Sequence, residues 1–333
     1  MAEIPAACGQ TRKAGHMIAS SRAPIARTVR SRRHGARAVL ATVCTFAAVL
    51  SPAGCAEATG AGSSSTSDDA PVLAVIQEQS AAEIAAETQA QADEAARDAA
   101  VDAGATAKAQ LDQAVADIEA KGAVTAYIAL DMTTGQTVEY NADQVFYSAS
   151  SIKGPFCVSL MRAHGAQARE RYAGVIRACL VNSSNDDYDT LRQAYRRERF
   201  FQELGHEAGV SADLSHWYAD YSVRDLAKIW AACGTWLVSG SEDAAWVGEL
   251  LGDTLNSQVD DCAGGEGVTT WSKAGWFPGG DEPAVTIDGG VVHTEAGDYA
   301  IAVAVNRGSD FKAIRSVMEP LVTVYRAQAL SAE

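Results

Sequence analysis

Ser150 and Lys153 carry the strongest chemical signal in this sequence of 333 residues. Residues three apart share one face of a helix, so the Lys153 amine can reach the Ser150 hydroxyl. Burial lowers the pKa of a lysine, and the neutral amine can then take the proton of a serine nucleophile. The alternative is that Ser148 or Ser150 only caps the helix. Apolar residues at helical spacing follow the pair, which predicts a helix that begins there: Ile152, Phe156, Leu160 and Met161.

Two further short motifs follow along the chain. Ser183-Ser184-Asn185 comes after an apolar stretch and before a predicted helix. Lys273-Ala274-Gly275 ends the β-prone stretch 268–272, with a glycine where the backbone would meet a ligand. Each motif is weak evidence when it is taken alone. Together they place a hydroxyl, an amide and a second amine at a helix start, a loop and a strand end.

Periodicity predicts the elements that must position these motifs. Residues 106–121 form an amphipathic helix, which Gly122 ends. Residues 124–131 and 136–140 are two strands of a hairpin around a Thr-Thr-Gly turn.

The other end of the chain reads as strand, strand and helix, at residues 284–292, 299–306 and 309–327. Strands near both termini with helices between them predict an α+β fold. We expect an antiparallel sheet completed by both termini, flanked by helices, with a mostly helical subdomain.

The order and placement of the three motifs resemble the S-x-x-K, S-D-N and K-T-G set of class A β-lactamases and penicillin-binding proteins. The resemblance covers residues 106–327 and implies the β-lactamase/transpeptidase-like fold. It also implies that Ser150 is acylated, that Lys153 is its base or proton relay, and that Ser183 passes the proton to the leaving nitrogen.

The resemblance further implies a set of substrate-binding residues. Asn185 would hold the substrate amide, and Lys273 would attract the substrate carboxylate from the strand that also carries Ala274 and Gly275. The backbone N–H groups of Ser150 and Trp276 would form the oxyanion hole. One donor of this kind is worth about 2.7 to 4 kcal/mol of transition-state stabilisation.

The sequence departs from the family pattern at three points. Ser184 stands where the family has aspartate, and Ala274 replaces a threonine hydroxyl that would bind the substrate carboxylate. No Glu-x-x-Leu-Asn motif lies between the second and third motifs. We expect the carboxylates of that stretch, Glu207, Asp213 and Asp220, to be surface groups. The sequence therefore does not assure rapid hydrolysis of the acyl-enzyme.

The N-terminal third is organised differently from the rest. Residues 1–55 have the basic, then apolar pattern of an export signal, and Ala53-Gly54-Cys55 makes Cys55 a candidate for lipidation. Residues 56–71 are a flexible linker rich in small and polar side chains, and residues 72–104 are a helical spacer rich in Ala, Glu and Gln. The hydrolase domain is predicted at residues 105–333.

Charge and composition limit the partners. Residues 1–54 carry a net charge of +7, so the remainder carries −22 against −15 for the whole chain. Such a surface repels nucleic acid, and we expect no nucleic-acid partner. We expect an extracytoplasmic monomer, tethered to the membrane only through its N-terminus or secreted. No motif indicates a metal or another cofactor.

Four cysteines fall in the predicted domain: Cys157, Cys179, Cys233 and Cys262. Exported thiols commonly oxidise, and four cysteines allow three pairings. The family resemblance favours a Cys157–Cys179 disulfide, with Cys233–Cys262 as the second pair.

The sequence thus predicts an exported serine hydrolase. Its substrate would be a small-molecule β-lactam or a D-alanyl stem peptide of peptidoglycan. The alternative is a non-catalytic penicillin sensor or cell-wall-binding lipoprotein on the same scaffold.

Overall fold

A computed structural model describes residues 70–332, with side chains described for residues 82–330. The predicted export signal, the Cys55 lipidation site and nearly all of the predicted linker lie outside the described residues. None of the described helices is both long and apolar enough to cross a membrane.

The described chain alternates helices and short strands. The helices are α1 (Ala70–Glu119), α2 (Lys153–Val181), α3 (Asn185–Ala194), α4 (Phe200–Glu207), α5 (Val223–Leu237), α6 (Glu242–Leu251), α7 (Val259–Ala263) and α8 (Phe311–Ala332). The strands are β1 (Thr125–Asp131), β2 (Thr137–Tyr140), β3 (Val145–Tyr147), β4 (Asp220–Ser222), β5 (Val268–Ser272), β6 (Gly275–Phe277), β7 (Val285–Thr294) and β8 (Gly297–Val305). A 3₁₀ turn, Ala149–Ile152, precedes α2.

The main sheet is antiparallel, in the order β2-β1-β8-β7-β5, and β6 pairs with β7 beyond the end of β5. Strand β1 pairs with β8, so strands from the two ends of the domain lie side by side. Strands β3 and β4 form a separate two-stranded sheet. The predicted α+β fold is confirmed, including the N-terminal hairpin and the closing strand, strand and helix.

Each face of the sheet covers its own hydrophobic cluster. Alternate residues of β1 point to opposite faces, so Ile128 joins the cluster under α2 and α5, while Tyr127 joins the cluster under α1 and α8. This arrangement leaves the start of α2 and the end of β5 close together on the α2 side.

Helix α1 differs from the predicted boundaries. It begins at Ala70 and continues without a break through the expected junction at residues 104 and 105. Gly104 does not interrupt the helix. This glycine is buried against Ala327, and an added Cβ would lie 2.5 Å from the Ala327 Cβ, so the packing requires a residue without a side chain. Residues 82–99 are all exposed, as expected of a spacer, whereas Leu111 is fully buried. Gly122, with a φ of 73°, follows the end of the helix as predicted.

The cysteines of the domain are free thiols in the described structure. The pairing of Cys233 with Cys262 is wrong, because Cys233 belongs to the cluster under α2 while Cys262 packs against the cluster on the other face of the sheet. Cys157 and Cys179 are neighbours, with their Sγ atoms 3.8 Å apart, well beyond a bond length of about 2.05 Å. A disulfide at this pair stays a prediction.

Candidate active site

Ser150 lies in the 3₁₀ turn at the start of α2, and the backbone of β6 holds that turn. Ala149, the residue before Ser150 in this turn, has a φ of 44°, a conformation that a non-glycine residue adopts rarely. A Cβ added to Gly275 would lie 2.7 Å from the Ser150 nitrogen and closer still to the Ser151 nitrogen, so only glycine fits there. The first and third motifs are therefore in direct backbone contact.

The turn is also fixed by hydrogen bonds of its side chains. Ser151 Oγ lies 2.6 Å from the Ser148 carbonyl and 2.5 Å from the hydroxyl of the buried Tyr221. Ser148 makes no side-chain cap, which argues against a capping role for that residue. Ser150 itself is half-buried within this turn.

Lys153 is fully buried one turn after Ser150. Its Nζ donates to the Ser183 carbonyl at 2.8 Å and to Asn185 Oδ1 at 2.6 Å. Burial lowers the pKa of Lys153, because desolvation disfavours the ammonium form. The group is thus suited to accept a proton, as predicted for the base.

The second motif is a strained turn followed by a helix cap. Ser183 has a φ of 57°, which directs its carbonyl and its hydroxyl to two different lysines. The Ser184 side chain accepts a hydrogen bond from the Asp187 N–H and caps α3. The serine that replaces the family's aspartate therefore has a local structural role.

Lys273 is the second buried amine, and it bonds to a different oxygen of Ser183. Its Nζ donates to Ser183 Oγ at 3.1 Å and to the Ala274 carbonyl at 2.8 Å. Burial lowers its pKa to about 7, and the nearby Lys153 contributes in the same direction. Both lysines bond to Ser183, so the amines of the first and third motifs meet at the second motif.

Asp288 is a buried carboxyl that sequence reasoning missed. It lies on β7, next to the Gly289 carbonyl that accepts the Lys273 backbone N–H. Ser257 Oγ and the Gln258 N–H donate to it at 2.6 to 3.1 Å. Burial raises its pKa to about 7, while the charge of Lys273 acts to lower it. A lone aspartate inside a β-prone run was the only signal in the sequence.

Tyr218 is the other residue that the sequence did not indicate. Its hydroxyl donates to Asn185 Oδ1 at 3.3 Å, and its ring lies 5.3 Å from that of Tyr188 and 6.2 Å from that of Tyr147. Phe277 packs edge-on against Tyr147 at 5.7 Å. The site thus has an aromatic wall beside Asn185, formed by Tyr147, Tyr218 and Phe277.

The three carboxylates expected at the surface do lie there. Glu207 pairs with Arg162 at 2.8 Å, and Asp213 accepts the Ser215 N–H on the protein surface. Asp220 is exposed on β4. Within the described part of the chain, the Lys153 amine bonds to Ser183 and Asn185 and to none of these three carboxylates.

The two tryptophans that flank the third motif have different surroundings. The Trp276 ring lies 5.8 Å from Lys273 Nζ, close to the site. Trp271 instead stacks on His293 at 5.7 Å and packs against Gly248 of α6. Among the residues that the structure describes, no group of three or more His, Cys, Asp or Glu side chains could hold a metal ion.

The fold and the arrangement of these motifs are those of a β-lactamase-like scaffold. Residues 107–170 match the family described as "Beta-lactamase enzyme family", a stretch that includes Ser150 and Lys153. The predicted resemblance is thereby confirmed for the fold and for the first motif. Among curated proteins, none matches this chain.

Several solved structures share the fold at low sequence identity. A β-lactamase from Sphaerobacter thermophilus is 19% identical with a TM-score of 0.51, covering 68% of this chain and 98% of that one. A β-lactamase from Chitinophaga pinensis is 12% identical with a TM-score of 0.50, covering 68% and 100%. A mutant of PBP-A, solved as an acyl-enzyme complex with penicillin G, is 17% identical with a TM-score of 0.51, covering 66% and 96%.

Proposed function

We propose that this protein is an extracytoplasmic acyl-transfer enzyme that forms an acyl-enzyme at Ser150. The substrate is a β-lactam or a D-alanyl peptide of the cell wall. The observation that carries the proposal is that two buried lysines meet at Ser183, and that one of them, Lys153, follows the half-buried Ser150 by one turn. Burying two amines is costly, and a purely structural site would be as stable with apolar residues there.

In the proposed reaction, neutral Lys153 takes the proton of the Ser150 hydroxyl as Oγ attacks the carbonyl carbon. Backbone N–H groups of the 3₁₀ turn and β6 stabilise the oxyanion. The C–N bond then breaks, and the leaving nitrogen receives a proton from the Ser183 hydroxyl, which is replenished from Lys153. The product is an ester on Ser150 and a free amine, which stays attached when the substrate is a β-lactam.

Protonated Lys273 attracts the carboxylate that both substrate classes carry. Ala274 supplies no hydroxyl for that carboxylate, in contrast to the threonine of the family pattern. The proposed location follows from the predicted export signal and the candidate lipid site at Cys55. The proposals on chemistry and on location are independent, since the former depends only on the described domain.

The test is to incubate the protein with benzylpenicillin or with a D-alanyl-D-alanine peptide and to measure its intact mass. We expect a mass increase equal to that of penicillin, mapped by peptide analysis to Ser150, and no increase for Ser150→Ala. A wild-type protein that acquires no adduct from either compound would contradict the proposal and favour a non-catalytic binding protein.

A further inference from the structure

The segment that joins α4 to β4, residues 208–219, is attached firmly to α3. Tyr188 donates its hydroxyl to the Trp217 carbonyl at 2.7 Å, and Arg192 donates to the Ser215 carbonyl at 2.8 Å. Both donors are buried side chains of α3. These two bonds fix the backbone on both sides of residue 216, and they bring Tyr218 over the first residue of α3, Asn185.

The orientation of the Asn185 amide follows from its neighbours. Lys153 Nζ and the Tyr218 hydroxyl both donate to Asn185 Oδ1, at 2.6 and 3.3 Å. A lysine can only donate, so the oxygen of the amide must face it. The NH₂ end of the amide then points away from both groups and is left to donate to a substrate carbonyl.

The Tyr218 hydroxyl keeps its proton. Burial raises the pKa of Tyr218, and the nearby Asp189 carboxylate raises it further. The phenol is therefore a hydrogen-bond donor throughout the physiological pH range. It cannot take a proton from water, in contrast to a carboxylate at the same place.

We propose that Tyr218 is a positioning residue that locks the Asn185 amide so that its NH₂ group donates to the acylamino carbonyl of the substrate. This inference rests on the proposed function. It predicts that the contribution of Tyr218 is confined to substrates with an acylamino side chain. The ring of Tyr218 supplies the packing against Tyr188, and only its hydroxyl acts on Asn185.

The experiment compares acylation rates of the full chain and of Tyr218→Phe with two penicillins. Benzylpenicillin carries the acylamino side chain, and 6-aminopenicillanic acid lacks it. We expect Tyr218→Phe to acylate about three- to tenfold more slowly with benzylpenicillin, the usual value of one hydrogen bond. With 6-aminopenicillanic acid we expect a rate within about twofold of the wild type.

Two further variants make the result interpretable. Tyr195→Phe removes a hydroxyl outside the site and should change neither rate. In an Asn185→Ala background, Tyr218→Phe should have no further effect on benzylpenicillin acylation, because the amide that it positions is gone.

Equal losses with both penicillins, or no loss with either, would overturn the inference while leaving the proposed function intact. The inference is supported if Tyr218→Phe slows benzylpenicillin acylation when Asn185 is present and has no effect on it in the Asn185→Ala background. Absence of any adduct on the wild-type chain would overturn the proposed function, and this inference with it.

Discussion

The two sides of the candidate site differ in where their charged groups lie. On the acylation side, Lys153 and Lys273 are buried and hydrogen-bonded around Ser183. On the opposite side, residues 208–219 direct Tyr218 into the site, whereas Asp213 remains on the surface. The groups proposed to form an ester are thus assembled, whereas the three carboxylates considered for its hydrolysis, Glu207, Asp213 and Asp220, lie on the surface.

Under the proposed function, acylation and deacylation would depend on separate structural elements. The acylation groups come from the 3₁₀ turn, α2 and the end of β5, which are tied together by the close contact at Gly275. The segment 208–219, which brings Tyr218 to Asn185, depends instead on hydrogen bonds from α3. A substitution in the segment 208–219 can therefore leave the groups on the 3₁₀ turn, α2 and the end of β5 in place.

The largest expected effect comes from Lys153→Met, which keeps the bulk of the side chain and removes the base. General-base catalysis contributes about 10²- to 10⁴-fold, so we expect at least a hundredfold slower formation of the penicillin adduct. Stopped-flow or quenched mass spectrometry gives the rate, and a thermal melt shows whether the fold persists. An acylation rate within about tenfold of the wild type would remove Lys153 from the mechanism.

Gly275→Ala tests the contact between the first and third motifs. The added Cβ would clash with the Ser151 nitrogen, so the turn must shift. A misplacement of about 1 Å can cost 10²-fold in rate, and overpacking costs about 1 to 3 kcal/mol of stability. The expected result is slower acylation by about 10- to 100-fold with a lower melting temperature.

The matched control for that substitution is Gly174→Ala. Gly174 lies in α2, and a Cβ added there would meet nothing within 4 Å. We expect unchanged acylation and an equal or slightly higher melting temperature, because alanine favours a helix. If Gly275→Ala behaved like Gly174→Ala, the close packing of β6 on the turn would not be important for the reaction.

Lys273→Arg tests the charge that attracts the substrate carboxylate. The pKa of Lys273 is lowered to about 7, so its ammonium form is lost as the pH rises through 7 and acylation efficiency should fall. Arginine stays charged up to about pH 12. We therefore expect the alkaline limb of the acylation profile to move to higher pH in Lys273→Arg.

Asp288→Asn should move the same limb in the opposite direction. Removing the buried carboxylate takes away a negative charge that favours protonated Lys273. The pH dependence of acylation efficiency, followed across neutral pH into the alkaline range, measures both shifts, each against the wild type. A limb that stays in place in both variants would show that a group other than Lys273 controls it.

The smallest effect is expected for the surface carboxylates of the opposite side. Glu207→Gln, Asp213→Asn and Asp220→Asn should each leave the lifetime of the adduct within about twofold of the wild type, since surface changes of this kind have small effects. The loss of penicillin mass from the adduct measures that lifetime. A large change in the adduct lifetime of any one variant would identify that carboxylate as a deacylating group. The two sides of the site would then both carry groups that act in the reaction.

Much of the fold could be predicted because its signals are local. The Thr-Thr-Gly turn and the alternation around it define the hairpin, and the helical spacing after Ser150 defines the start of α2. The continuity of α1 through Gly104 was not predictable from composition, because that glycine contacts Ala327, which is far away in sequence. The Cys233–Cys262 pairing failed for a similar reason, since spacing does not reveal which face of the sheet a residue occupies.

The candidate site was predictable where a motif marks it. Ser150, Lys153, Ser183 and Lys273 stand in short patterns with a defined order, and the structure brings the side chains of the last three together. Tyr218 and Asp288 stand in no pattern. Tyr218 reaches Asn185 only because Tyr188 and Arg192 hold its loop, and Asp288 approaches Lys273 only through the pairing of β5 with β7.

The most direct test of the account follows the adduct after the free penicillin has been removed. The protein is first acylated with benzylpenicillin, then passed over a desalting column and sampled for intact mass over several hours. We predict that the adduct on Ser150 persists, because the groups proposed for acylation meet at Ser183, whereas Glu207, Asp213 and Asp220 lie on the surface. Return to the unmodified mass within seconds would contradict it and would establish the protein as an efficient β-lactamase.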